Sequence, residues 1–147
     1  MATRFKERGI QGFGKSKRSK KKTKISNKTS KPSKGSIKKR LDKVFSEIVR
    51  EKGFCERCNK KENLQCSHIF SRSQLSVRWD LDNAFCLCAG CHLYWWHKNP
   101  IEAAEFTKQR LGEDKYKQLI LKSSQIKKWS IGELNELYLK LCQTKLQ

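Results

Sequence analysis

Four of the seven cysteines fall in two pairs of identical spacing, Cys55-Glu56-Arg57-Cys58 and Cys88-Ala89-Gly90-Cys91, with 29 residues between them. A tight turn with two residues between its thiols can point both sulfurs at one ion. Two such turns supply the closed tetrahedral thiolate set of a structural zinc. That shell leaves no coordination position open, so the ion would hold the domain together, and any catalysis must use other groups. Cys86 could replace Cys88, although Cys-x-Cys makes a poorer knuckle; Cys66 and Cys142 lack a partner at ligand spacing and read as small core residues. The chain's only three histidines, His68, His92 and His97, share one stretch of thirty residues with the second pair, and Asn83 lies among them.

The elements that must position these groups are legible in the apolar pattern. Ile37, Leu41, Val44, Phe45, Ile48 and Val49 form one helical stripe, predicting a helix over residues 36–52 stopped by Gly53. The first cysteine pair follows on a turn, then a short strand from Leu64 to Phe70, an irregular stretch over 71–85, and a short helix from Leu93 to Lys98. Asn99-Pro100 starts a helix that stops at Gly112, and a further helix covers 113–122. Ser130-Ile131-Gly132-Glu133 has capping-box spacing, with Trp129 and Leu134 placed for a hydrophobic staple, so a last helix covers about 131–144. The core of this α-rich, α+β region is modest, and a zinc staple through its loop-rich middle would compensate.

The chain has 147 residues and a formal charge of +20, with 34 Lys+Arg and 14 Asp+Glu. Its length fits one ordinary domain and excludes a multidomain enzyme. Through Arg40 there are 16 basic residues and one acid, a net of +15, which leaves 18 basic and 13 acidic residues, a net of +5, for the rest. Residues 1–35 therefore read as a disordered basic arm with too few apolar side chains to offset its ordering entropy. Lys17, Arg18, Lys20, Lys21 and Lys22 are its densest cluster, suited to neutralising phosphates without reading sequence; a solubilising or localisation tail is the alternative. No apolar run is long enough to span a bilayer and no apolar segment follows the basic start. A soluble, cytoplasmic protein with reduced thiols is expected, with no membrane partner.

Histidine, asparagine, histidine, interleaved with two zinc knuckles as His68, Asn83 and His92, resembles the HNH nuclease family of the ββα-metal fold. The most specific part is Asn83-x4-Cys88-x2-Cys91-His92, and the resemblance covers residues 55 to about 98. It implies that 36–147 is a nuclease domain: an N-terminal helix (36–52), a zinc-stapled ββα-metal core (53–98) and a C-terminal helical extension (99–147). In that pattern His68 is the general base, His92 binds a divalent ion that touches the scissile phosphate, and Asn83 either orients His68 or helps to ligate that ion. Magnesium, manganese or another first-row ion would suit such a site. Phosphodiester hydrolysis needs little more: a base for water and a cation for the developing charge. Many HNH enzymes place Asp or His just before the base, where this chain has Ser67. His97 is no substitute on an α-helix, where five residues turn it about 140° off the face of His92, so it is expected to meet phosphate or solvent.

A narrower likeness includes the flanks. Asp42-Lys43-x2-Ser46-x2-Val49-Arg50, Ser67-His68-Ile69-Phe70-Ser71-Arg72, and Arg78-Trp79-Asp80-x2-Asn83 look like the phage NinG, or Rap, recombination proteins. That likeness implies a phage-encoded enzyme of the host cytoplasm that cuts branched DNA, such as Holliday junctions and D-loops. Arg72 and Arg78 could grip the phosphate, or could form purely structural ion pairs, for example with Asp80 or Asp82. Trp79, Tyr94, Trp95 and Trp96 read as core and zinc cover, with one exposed ring as a candidate wedge. Paired cuts would call for a homodimer, with Ile131, Leu134, Leu137, Leu139 and Leu141 as interface or, equally, packed back on the Leu41/Phe45 stripe. The rival from another class is a non-catalytic, zinc-stabilised nucleic-acid-binding protein; an RNA-directed role is a third possibility.

Overall fold

The computed structural model describes residues 32–146; the basic cluster from Lys17 to Lys22 lies outside the described residues. Helix α1 (Lys34–Arg50) starts earlier than its apolar stripe, because Ser33 caps it by accepting the Ser36 N–H at 3.2 Å. The helix therefore takes in the last two residues, 34 and 35, of the segment expected to be an arm. Gly53, at φ 73°, sits in the left-handed region that a side chain resists, and turns the chain out of the helix exit toward the first knuckle.

Strands β1 (Leu64–His68) and β2 (Ala84–Cys88) pair antiparallel, with His68 opposite Ala84 and Leu64 opposite Cys88. All five residues of β2 are buried, since its alternate side chains enter two different cores. Ala84 and Cys86 join the α1 stripe and Trp79, whereas Phe85 and Leu87 join the second knuckle, Trp95, Trp96 and Ala103. A strand covered on both sides shows no polar alternation. For that reason part of the stretch expected to be irregular is the central element of the domain. The loop before it carries a single 3₁₀ turn, Leu81–Asn83.

The segment after the second knuckle, Cys91–Trp96, is a π-helix rather than an α-helix. Helices α2 (Pro100–Leu111) and α3 (Glu113–Ser123) follow, joined at Gly112 with φ 81°. Asn99 does not cap α2 with its side chain; its amide donates to the Trp95 carbonyl at 3.2 Å and ties α2 back to the π-turn. Helix α4 (Ile131–Thr144) has the expected capping box, with both Ser130–Glu133 hydrogen bonds present. Its apolar face packs on α1: Leu134 and Leu141 are buried in the Leu41/Phe45 cluster, with Leu137 and Tyr138 at the margin. Each such side chain contributes roughly 1.5–3 kcal/mol on burial. Most of the face considered for a dimer is thus used within the chain, leaving Ile131 and Leu139 exposed. Among the described residues no helix is long and apolar enough to cross a membrane. The result is a small, α-rich fold around one hairpin.

Candidate functional site

The two knuckles converge. The sulfurs of Cys55, Cys58, Cys88 and Cys91 all lie within 4.8 Å of one another, and Cys58 and Cys88 are 3.7 Å apart. A tetrahedron with zinc–sulfur bonds of about 2.3 Å has edges of roughly 3.8 Å, so the cluster is close to the size that the ion needs. Local chemistry shapes each turn. Asn59 adopts φ 61° immediately after Cys58 and donates its N–H to the Cys55 carbonyl at 2.8 Å, and the Cys91 N–H points at the Cys88 sulfur. Burial opposes ionisation of Cys55, yet backbone N–H groups of Cys88, Cys58 and Arg57 bring its thiol down to about 7. Four thiols this close cannot all ionise unaided, and burial together with the neighbouring sulfurs pushes Cys91 up to about 12. A divalent ion resolves that conflict, and Arg57 helps, donating to the Cys91 sulfur at 3.8 Å while its guanidinium stacks 4.0 Å from the Trp95 ring centroid. Cys86 stays outside the cluster. Its backbone pairs with Glu56 in both directions, which fastens the first knuckle to β2.

Beside this staple lies an open cleft of about 870 Å³ that brings His68, His92 and His97 together. Asp42, Ser46 and Arg50, one helical turn apart on α1, form one wall; Arg72 lies on another. His68, at the end of β1, is held on three sides. The Phe45 ring lies 5.3 Å away by centroids, the Trp96 indole N–H donates to the His68 carbonyl at 3.2 Å, and the His68 Nε2 is 3.1 Å from the Arg78 carbonyl. A carbonyl can only accept, so Nε2 carries the proton and Nδ1 keeps its lone pair, on the Cys66 side of the ring. Burial, reinforced by the charge of Arg72, pulls His68 below the ordinary histidine range and keeps it neutral at pH 7. The Cys66 thiol, pushed up to about 12 by burial, stays protonated there.

His92 is oriented from the other strand position. Its Nδ1 lies 2.7 Å from the Gln65 Oε1, an acceptor, so Nδ1 carries the proton and Nε2 is left as the donor atom for an ion. Burial lowers its proton affinity, and so do His97 and His68, which are near enough to oppose a positive charge. His97, expected to point away, is beside His92 with ring centroids 4.8 Å apart. A π-helix closes i→i+5 hydrogen bonds, so the residue five places on sits one turn above its partner.

These contacts narrow two of the expected roles. Asn83 is completely buried and does not line the cleft: its Oδ1 accepts the Phe70 N–H at 2.8 Å, and its Nδ2 donates to the Phe70 and Val77 carbonyls at 3.2 and 2.9 Å. It therefore clamps the 70–83 loop that presents the Arg78 carbonyl to His68 and is not placed to hold an ion. Arg78 is likewise committed. It forms a bidentate pair with Asp42, at 3.0 and 2.7 Å, and donates to the Arg72 carbonyl at 2.9 Å. Its partner is Asp42, and the Trp79 indole shares that carboxylate. Asp80 and Asp82 pair instead with Lys122 and Lys115 of α3. Tyr94 is exposed, while Trp79, Trp95 and Trp96 are buried. Reading residue types overlooked Gln65, whose only signal is its strand position. The Asp42/Ser46/Arg50 face could have been found from its i, i+4, i+8 spacing. The serine before His68, Ser67, is buried with its hydroxyl unpaired and does not face the cleft.

No family model, curated protein or solved structure matches the chain. What stands is a four-cysteine zinc module in a small α+β fold.

Proposed function

We propose that this protein is a metal-dependent DNA endonuclease of the HNH type that hydrolyses phosphodiesters in branched recombination or replication intermediates. The observation that supports this reading is His68, neutral, with Nδ1 unprotonated, beside His92 in a cleft walled by Arg50 and Arg72. In this reading His68 Nδ1 takes a proton from water as the water oxygen bonds to phosphorus and the phosphorus–oxygen ester bond on the far side breaks. Arg50 and Arg72 hold the non-bridging oxygens, and the Arg78 carbonyl keeps the His68 ring in its working tautomer. His92 would hold a divalent ion through Nε2, and that ion would supply Lewis-acid stabilisation of the charge on the phosphate. The basic arm adds affinity without sequence readout, and preference for branched DNA would come from its shape.

A second reading has its own support. Among the described residues the four cysteines are the only group of three or more side chains poised for one ion, as a non-catalytic, zinc-stabilised nucleic-acid binder requires. Wild type and His68→Ala, compared on four-way-junction and linear duplex DNA with and without divalent ions at two salt concentrations, separate the two. Ion-dependent cutting lost in the variant, with binding retained, supports the nuclease. Binding by both proteins with no cutting under any ion refutes it in favour of the binder.

A further inference from the structure

The π-turn places two imidazoles where the sequence spacing says they should diverge. A metal–nitrogen bond of about 2.0–2.1 Å puts each ring centroid roughly 3.2 Å from a shared ion, so two adjacent imidazole ligands have centroids about 4.5 Å apart at 90° and about 5.2 Å apart at the tetrahedral angle. His92 and His97 are 4.8 Å apart, tilted by 41°, inside that interval. Independently, the Gln65 carbonyl accepts the His92 Nδ1 proton at 2.7 Å, the outer support that metal-bound histidines ordinarily have. Both rings line the cleft, and His97 is exposed to it.

The wide turn has a structural origin. It begins at Cys91, anchored in the thiolate cluster, and carries two adjacent buried indoles with separate partners: Trp95 donates to Glu102 at 2.7 Å and Trp96 to the His68 carbonyl at 3.2 Å. With its start fixed and both rings pinned, the segment keeps an i→i+5 turn, and that turn brings His97 over His92.

The donor set also selects the ion. Hard ions such as magnesium favour carboxylate and water oxygens, whereas imidazole suits zinc, nickel and their first-row neighbours. Among the described residues the one carboxylate lining the cleft, Asp42, is occupied by Arg78 and Trp79.

We propose that His92 and His97 together form a second metal site, selective for a first-row transition ion over magnesium, with Gln65 as its positioning residue. The proposal rests on the nuclease reading for its purpose, and excludes magnesium there, but its test is binding. The full chain, tag-free and carrying one zinc per molecule, is titrated with cobalt(II) and followed by calorimetry and by visible absorption. The spectrum distinguishes an imidazole and oxygen site from cobalt in the thiolate cluster, which adds strong sulfur charge-transfer bands. The expected result is one further equivalent of cobalt without those bands, not displaced by excess magnesium. His97→Ala, at an exposed position that the fold tolerates, should weaken it by on the order of 100-fold, and Gln65→Ala by about 10–100-fold.

Absence of a second equivalent, affinity unchanged in His97→Ala, or equal competition by magnesium would each overturn the proposal. The two readings fail separately. Cobalt bound as expected with no cutting under any ion sinks the nuclease and leaves the site. Magnesium-dependent cutting indifferent to His97→Ala sinks the site and leaves the nuclease.

Discussion

Asn83→Asp is the substitution that best separates a clamp from a ligand. A carboxylate is a better metal ligand than an amide, so an ion-binding role predicts that aspartate is tolerated or gains ion affinity. The structure predicts the reverse. Nδ2 donates to the buried Val77 carbonyl at 2.9 Å and to the Phe70 carbonyl at 3.2 Å, and aspartate would turn both contacts into oxygen facing oxygen. An unpaired buried acceptor costs about 1–3 kcal/mol, and the part-buried Phe70 carbonyl falls near the lower end because water can reach it. The unpaired charge in a site with no exposure adds to this, while the Oδ1 contact with the Phe70 N–H survives. A loss of about 3–4 kcal/mol follows, a large part of the ~5–15 kcal/mol available to a domain. With a urea slope of about 1.5–2 kcal/mol/M, the unfolding midpoint drops by about 2 M at fixed zinc concentration. Asn83→Ala, which leaves the same carbonyls unpaired without the repulsion, should fall less far. Equal midpoints for wild type and Asn83→Asp would refute the clamp assignment.

Zinc removal should unfold the hairpin, because binding worth about 10–16 kcal/mol in small zinc modules rivals the total stability of a domain. Circular dichroism and zinc content after chelation test this: Cys58→Ser should lose the metal, and Cys142→Ser should keep it. His68 has a folded proton affinity below its unfolded one, so the unfolded chain binds the extra proton. Its contribution to stability is present above the unfolded value of about 6.5 and is lost as pH falls through the lower folded value. Under the nuclease reading, cleavage should decline as pH falls through that lower folded value, where His68 protonates, and a pH–rate profile without that acid limb would remove His68 from the role. Deleting residues 1–31 removes 12 Lys+Arg. For each phosphate that the arm neutralises, the deletion should flatten the slope of log affinity against log salt by about 0.9, measurable by fluorescence anisotropy; an unchanged slope would show that the arm does not touch the backbone.

Much of the framework is local and could be read along the chain. The stripe from Ile37 to Val49, the Ser130/Glu133 box and Pro100 at a helix start each depend on residues within a turn or two, and those helices form within two residues of the predicted ends. Strand β2 escaped that reading because Ala84 to Cys88 is apolar throughout, a pattern that carries no period when both faces are covered.

The sequence by itself determined the zinc ligands, because a two-residue spacing within a turn presents both sulfurs whatever surrounds it, and two such turns need only meet. It also determined the polarised charge and the clustering of three histidines about the second pair. Tertiary structure alone decided what those histidines face. The hydrogen bond from His68 to the Arg78 carbonyl depends on a loop clamped by Asn83 and tied to α1 through Asp42, contacts 10 to 36 residues apart in the chain. The pairing of His92 with His97 depends on the helical period, and that period is set here by packing, through an anchored Cys91 and two pinned indoles, rather than by the intrinsic preference of Leu93 or Tyr94. Spacing specifies direction only when the turn per residue is known, and in this segment the surrounding core supplies it.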